Sequence, residues 1–242
     1  MKVVAIIQAR MGSSRLPCKV LKQVLGKPIL TYQLERVSRS TYIDEIVVAT
    51  TDNPVDDAIV DLCESSNVAY FKGPEDDVLT RFYLAATAAN ADTIVRLTGD
   101  CPIIDPEQID QVIKSYMRDH KLDYASNTLT RTFPRGMDVE VMSFQCLQHT
   151  SQKAIASIDR EHVTRYIRNH PEQFSLNNVV LNNDYSHHRW TVDTAEDFTL
   201  VKKIIETLYP QKPTFTMNDI IHLLNKHPDW QLINKHIIQK KD

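Results

Sequence analysis

With 242 residues, 28 Lys and Arg against 31 Asp and Glu, and a net charge of -3, the chain can bury a sizeable core and is too balanced for a nucleic-acid-binding protein. Its four cysteines are scattered with no C-x-x-C pair, which argues against a zinc site or a disulfide framework. No apolar run is long enough to span a bilayer and no signal-peptide pattern opens the chain, so a cytoplasmic protein without a membrane span is expected.

Residues 3–7 (Val-Val-Ala-Ile-Ile) are continuously apolar, as suits a strand buried on both faces. The chain then turns basic, with Arg10, Arg15 and Lys19 around Gly12, Ser13 and Ser14. Such a stretch suits either a solvated loop or a cradle where backbone N–H groups and cations meet a polyanion. It is neither a P-loop nor a dinucleotide fingerprint. Pro28 is expected in the first turn of a helix over 29–37. Strands over 46–50, 68–71 and 93–97 then alternate with helices over 55–63, 76–89 and 106–116. This order predicts an α/β fold with a largely parallel sheet and right-handed crossovers. Ligands in such sheets bind at the carboxyl ends of the strands, where residues 8–19 and 98–101 both fall.

The second half is less regular. Short strands are expected over 123–127, 138–142 and 190–192, and helices near 144–153 and 159–169. Thr194 is a natural N-cap for a helix over 195–208. A helical tail covers about 211–242, and no repeat or linker interrupts the chain, so one domain over 1–242 is expected.

Several side chains carry possible chemistry. Asp100 and Asp193 each follow a predicted strand. Asp is common in strand-end turns, yet two carboxylates on one sheet edge can share a hard cation. Arg81 reads most simply as an i,i+4 partner of Asp77. Asp138 and Glu140 alternate onto one strand face, as a solvated polar face or as ligands for sugar hydroxyls or a second metal. His162, on a predicted helix, suits a structural or solvated role.

The order of motifs adds a resemblance. Gln8-Ala9-Arg10-Met11-Gly12-Ser13-Ser14-Arg15-Leu16-Pro17, followed by Lys19 and Gly26-Lys27-Pro28, resembles the first motif of the cytidylyltransferases that activate acidic sugars. CMP-Kdo and CMP-sialic acid synthetases are examples, and the spore coat polysaccharide biosynthesis SpsF group is closer still. Leu97-Thr98-Gly99-Asp100-Cys101-Pro102 resembles L-x-G-D-x-P, and the stretch from Arg189 to Phe198 resembles R-x-T-V-D-T-P-E-D-[LF]. The segment 73–82 resembles one in which an Arg faces the nucleotide. Ser126-Asn127, Pro134 to Glu140 and Glu161-His162-Val163-Thr164 resemble S-N-T, P-R-G-x-D-V-E and E-H-V-T of the SpsF group. The chain departs from these patterns at Cys18, where the group carries Gly, at Ala195, where Pro is usual, and at His188, where an apolar residue is expected.

The resemblance spans roughly residues 3–200. It implies a Rossmann-like nucleotide-diphospho-sugar transferase fold, with a mixed, mostly parallel sheet flanked by helices. It further implies transfer of CMP from CTP to a sugar or sugar acid with release of pyrophosphate, for surface polysaccharide or glycan biosynthesis, with Mg²⁺ as cofactor and a homodimer. By the same resemblance Ala9, Arg10, Met11, Gly12, Ser13, Arg15, Lys19, Arg81, Thr98 and Gly99 contact the nucleotide. Asn127, Arg135, Asp138, Glu140 and His162 face the acceptor. Asp100 and Asp193 hold the metal and, with Lys19, carry the catalysis. Two alternatives stay open. A sugar-nucleotide-dependent glycosyltransferase of similar fold usually shows D-x-D, which Asp138-Val139-Glu140 resembles only loosely. A non-catalytic nucleotide-binding subunit would need no acidic pair.

Overall fold

Alternation along the first strand sorts the interior into two layers. Val3, Ala5 and Ile7 point into one hydrophobic cluster, and Val4 and Ile6 into another on the opposite face. Both faces of this strand are therefore covered, as its unbroken apolar run requires. Each fully buried aliphatic side chain contributes roughly 1.5–3 kcal/mol, so these layers hold the sheet against its helices.

A computed structural model describes residues 1–239. In chain order it contains β1 (Val3–Gln8), the small hairpin β2 (Gln23–Val24) and β3 (Lys27–Pro28), α1 (Ile29–Val37), β4 (Glu45–Thr51), α2 (Asp57–Ser65), β5 (Ala69–Gly73), α3 (Val78–Ala88) and β6 (Thr93–Thr98). There follow α4 (Pro106–Met117), β7 (Tyr124–Ser126), β8 (Glu140–Ser143), α5 (Phe144–Lys153), α6 (Ser157–Glu161), α7 (Arg165–Asn169), β9 (Leu176–Asn178), α8 (Ala195–Leu208) and α9 (Met217–Lys226). The main sheet has the order β5-β4-β1-β6-β8-β7-β9. β5, β4, β1 and β6 are mutually parallel, β8 runs antiparallel to both β6 and β7, and β9 is parallel to β7. The sheet is thus mixed and mostly parallel, with helices on both faces. The carboxyl ends of β1, β4, β5 and β6 open on one edge. The antiparallel register Arg96↔Glu140 brings the start of β8 to that same edge.

Several expectations are corrected. Residues 190–192 form no strand. Trp190 N–H donates to the Arg135 carbonyl and Val192 N–H to the Asp100 carbonyl, so the segment crosses the strand ends instead of joining the ladder. The helix expected over 159–169 is broken into α6 and α7 at Val163, which has φ 45°. The break buries Val163 in the core and turns the Thr164 hydroxyl onto Glu140, which decides against a continuous helix. α3 begins at Val78 because the Asp77 carboxylate caps the Thr80 N–H at 2.9 Å. β8 begins only at Glu140, since Arg131 holds Asp138 through two hydrogen bonds outside the ladder. Pro28 is the N-cap of α1 and lies outside its first turn. The tail is interrupted at His227, beyond which Pro228–Leu232 is a 3₁₀ turn, and residues 240–242 of the expected tail lie outside the described residues. The strands β2, β3 and β9 have no sequence counterpart in the expectations; they are too short for a period-2 signal. Among the described residues no helix is long and apolar enough to cross a membrane.

Candidate active site

The basic loop leaves β1 at Gln8 and is tied down at Met11. The buried Asp56 carboxylate accepts the Met11 N–H at 2.6 Å, and the Met11 carbonyl accepts from Ser13 and Cys18 N–H at 2.9 and 3.0 Å. Closing the loop at Met11 leaves Gly12, Ser13, Ser14 and Arg15 on the rim of a cleft of about 270 Å³. Cys18 has φ 58° and ψ 22°, a left-handed conformation that costs a side-chain-bearing residue about 1–2 kcal/mol and Gly nothing. The backbone therefore accounts for Gly at this position in the SpsF group. The next residues, Lys19–Leu21, form a 3₁₀ turn anchored by buried Val20, which fixes the root of the Lys19 side chain.

Lys19 links the two aspartates. Its ammonium donates to Asp100 Oδ2 at 2.9 Å and to Asp193 Oδ1 at 2.8 Å. Both oxygens touch one nitrogen, so they are less than about 6 Å apart, and a shift of about 1–2 Å in the carboxylates brings both within ligand distance of a single octahedral cation. Asp100 follows Gly99, whose N–H donates to the Gln8 carbonyl at 2.8 Å. A Cβ at Gly99 would lie 2.9 Å from that carbonyl oxygen, so only Gly allows the loop after β6 to approach β1 this closely. Asp193 also accepts from Arg189 at 2.8 Å and from Arg15 at 3.1 Å, both on Oδ2.

Two adjacent carboxylates alone would push one pKa up. The Lys19 ammonium between them reverses that effect. Burial does push Asp100 up, but the Lys19 ammonium and hydrogen bonds from Thr98, Lys19 and Cys101 prevail and hold it down at about 2. Burial pulls Lys19 down, and Asp100 and Asp193 more than offset it, so its pKa is raised.

The remaining nucleotide candidates gather unevenly. Ala9, Arg10, Arg81, Thr98 and Gly99 line the cleft with the rim residues, while the Met11 side chain does not. Arg10 reaches Glu75 at 3.3 Å. Arg81 is 2% exposed and makes no pair with Asp77. It donates to the carbonyls of Pro74 and Glu75, and Asp77 pairs with Arg160 instead. His162, expected at the acceptor, lies on the wall of the nucleotide cleft beside Glu161.

A second cavity, about 650 Å³, adjoins the first and shares Arg96 and Thr98 with it. Arg135, Asp138 and Glu140 line it, together with Arg131 and Arg168. Asp138 and Glu140 are not a matched pair. Asp138 is held by Arg131, whereas Glu140 takes Arg96, Tyr124 and Thr164. Burial raises Glu140, but Arg96 and the two hydroxyl donors outweigh it and keep its pKa low. Asn127 is fully buried and does not line the cavity. Its amide donates to the Met137 carbonyl at 2.6 Å and accepts the Val139 N–H at 2.9 Å, which shapes the cavity floor from behind. His188 packs against Trp190 with the rings tilted and their centroids 5.3 Å apart, and burial with the neighbouring His187 pushes its pKa down to about 4. It is a neutral packing residue, which accounts for an imidazole at an apolar position.

Sequence reasoning missed Arg96, Arg131, Arg168 and Asp56. Arg96 sits inside a strand, and its role follows only from the register that sets it opposite Glu140. Asp56 falls inside the helix expected over 55–63; that its carboxylate reaches back to Met11 has no local signature.

The donors at Asp100 and Asp193 fit a magnesium ion. Both are oxygens, both already contact one cation, and their side chains are 20% and 12% exposed, which leaves room for retained waters. Among the described residues no cluster of three or more His, Cys, Asp or Glu competes as a metal site.

The cytidylyltransferase family model matches residues 4–226. The Bacillus subtilis spore coat polysaccharide biosynthesis protein SpsF is 35% identical over 94% of this chain and 95% of its own. A solved cytidylyltransferase from Leptospira borgpetersenii is 33% identical, with TM-score 0.92 and full coverage of both chains. A CMP:2-keto-3-deoxy-manno-octonic acid synthetase structure complexed with CTP has TM-score 0.66 at 20% identity, covering 85% of this chain and 99% of that one, and shares the fold.

Proposed function

The chain belongs to the cytidylyltransferase family, and we propose that it transfers CMP from CTP to an oxygen of a sugar or sugar-acid acceptor, releasing pyrophosphate. The observation that carries this reading is the Lys19 ammonium held between Asp100 and Asp193, on the wall of the nucleotide cleft that adjoins the arginine-lined cavity through Arg96 and Thr98. In this reading Arg10, Arg15 and the loop over 12–14 receive the triphosphate, which brings Lys19 to the phosphates. The acceptor lies in the second cavity, with Arg135 and Arg168 facing its acidic group. Its hydroxyl oxygen attacks the α-phosphorus in line as the bond to the β-phosphate oxygen breaks, the hydroxyl proton passes to water, and pyrophosphate leaves. Asp100 and Asp193 would hold Mg²⁺, which when bound would supply charge neutralisation at the α-phosphate and lower the pKa of the attacking hydroxyl. With Lys19 drawn to the phosphates, Mg²⁺ would take over as the counter-charge that keeps Asp100 ionised, so Asp100 would serve as a ligand and not as a proton acceptor. Catalysis is then mostly positioning and charge stabilisation. The glycosyltransferase reading loses ground because Asp138 and Glu140 are each engaged by an arginine. A cytoplasmic homodimer belongs to the same proposal.

Calorimetric titration with the four nucleoside triphosphates should give tightest binding for CTP; equal or tighter binding of UTP or GTP overturns the choice of base. Pyrophosphate release from Mg²⁺–CTP with a panel of acidic sugars identifies the acceptor. Asp100→Asn and Asp193→Asn should each cut turnover roughly a hundredfold while leaving metal-free CTP binding nearly intact. The double variant should cost little more than the worse single one. Unchanged turnover in either single variant removes that carboxylate from the mechanism.

A further inference from the structure

We propose that Asn234, in the C-terminal segment beyond the residues matched by the family model, is a positioning residue for Asp193. The proposal rests on the metal-binding role given to Asp193 above. Asn234 is 4% exposed, and its amide donates to Asp197 Oδ1 at 2.8 Å and to the Arg189 carbonyl at 2.9 Å. Asp197 is fully buried and is the hub of the arrangement. Its Oδ1 also accepts from Arg189 Nε at 2.9 Å. Its Oδ2 accepts from Arg189 Nη2 at 3.0 Å, from Asp193 N–H at 3.1 Å and from Thr194 N–H at 3.2 Å. One carboxylate thus fixes both the backbone of Asp193 and the guanidinium that grips its side chain at 2.8 Å. Gln239, from the same C-terminal segment, accepts from the third nitrogen of that guanidinium.

The segment reaches the site because the Pro228–Leu232 turn follows α9, and Trp230 packs against the same apolar layer that α8 and α9 fill. Asn234 closes the relay from outside. Without it Asp197 Oδ1 loses one of its two donors, and the buried Arg189 carbonyl loses the donor supplied by Asn234. A buried acceptor left short of partners costs enough to shift its neighbours, and the rigid guanidinium fork transmits that shift to Asp193 Oδ2. Misplacement by about 1 Å at a group that must hold a metal or a reacting atom is costly in function, though the group is still present.

The probe is Mn²⁺ binding to the CTP-loaded protein, followed by electron paramagnetic resonance of the free ion, beside calorimetry of CTP binding without metal. Asn234→Ala should weaken Mn²⁺ about tenfold and leave metal-free CTP affinity within twofold. Asn234→Leu keeps most of the volume and removes the donor, and should weaken Mn²⁺ about as much; it serves if the alanine variant does not fold. Cys63→Ala, which trims a buried side chain on α2, controls for general loss of stability and should leave both affinities unchanged. Mn²⁺ affinity within twofold of wild type in the Asn234 variants, or an equal loss in Cys63→Ala, overturns the proposal. An Asp193→Asn variant that binds Mn²⁺ as tightly as wild type instead overturns the metal role of Asp193.

Discussion

Lys19→Met is the most informative single perturbation, because it removes the charge between two carboxylates and keeps most of the volume. An exposed loop lysine would contribute little to stability. Here the Lys19 side chain is 14% exposed, and its partners are 20% and 12% exposed. Holding Asp100 at about 2 instead of near its ordinary value corresponds to roughly 2 kcal/mol. Removing one member of a fully buried ion pair costs about 3–5 kcal/mol. The lower figure is the better expectation, since Asp193 keeps Arg15 and Arg189, and Asp100 keeps the Thr98 hydroxyl. The pH dependence has a definite sign. Asp100 is depressed in the folded state, so its contribution is complete above its unfolded pKa near 4 and is lost as pH falls through about 2. Lys19 is raised in the folded state, so its contribution is complete below its unfolded pKa and is lost only in strong alkali. Urea unfolding at pH 7 should therefore show the variant roughly 2 kcal/mol less stable, with the deficit roughly halved by pH 3. Adding Mg²⁺ should recover part of the deficit in Lys19→Met and change the wild type little. A deficit below about 0.5 kcal/mol at pH 7, or one that does not shrink on acidification, would refute the assignment of Lys19 as the counter-charge of this pair.

Two further substitutions test the loops that build the site. Cys18→Gly removes a side chain from a left-handed backbone position, and after the entropy cost of Gly it should stabilise the protein by about 0.5–1 kcal/mol in urea unfolding; a lower midpoint would contradict the strain. Gly136→Ala would place a Cβ 2.7 Å from the Trp190 carbonyl carbon and 2.8 Å from Thr191 N, at φ +102°. It should cost about 3 kcal/mol or more and lower turnover as well, since the displaced segment leads to Asp193; a variant of wild-type stability would show that this crossing is looser than described.

What the sequence determined is what acts over a few residues. The apolar run in β1, the cap at Thr194 and the β-α alternation are decided by side chains and backbone groups that are near neighbours in the chain. With the rule that parallel strands share a carboxyl edge, they suffice to bring the basic loop and Asp100 to one rim. The capping box at Thr194 and Asp197 follows from the same local physics. Tertiary structure decided everything that depends on which strand lies beside which. Lys19 meets Asp193 across 174 residues, and Arg96 meets Glu140 only through an antiparallel register that no periodicity encodes. The same holds where local preference was overruled: Val163 leaves the helix to fill the core, and residues 190–192 leave the sheet to bind the Arg135 and Asp100 carbonyls. Burial and long-range hydrogen bonds outweigh propensities of a few tenths of a kcal/mol per residue, so these features take shape only when the whole sheet is assembled.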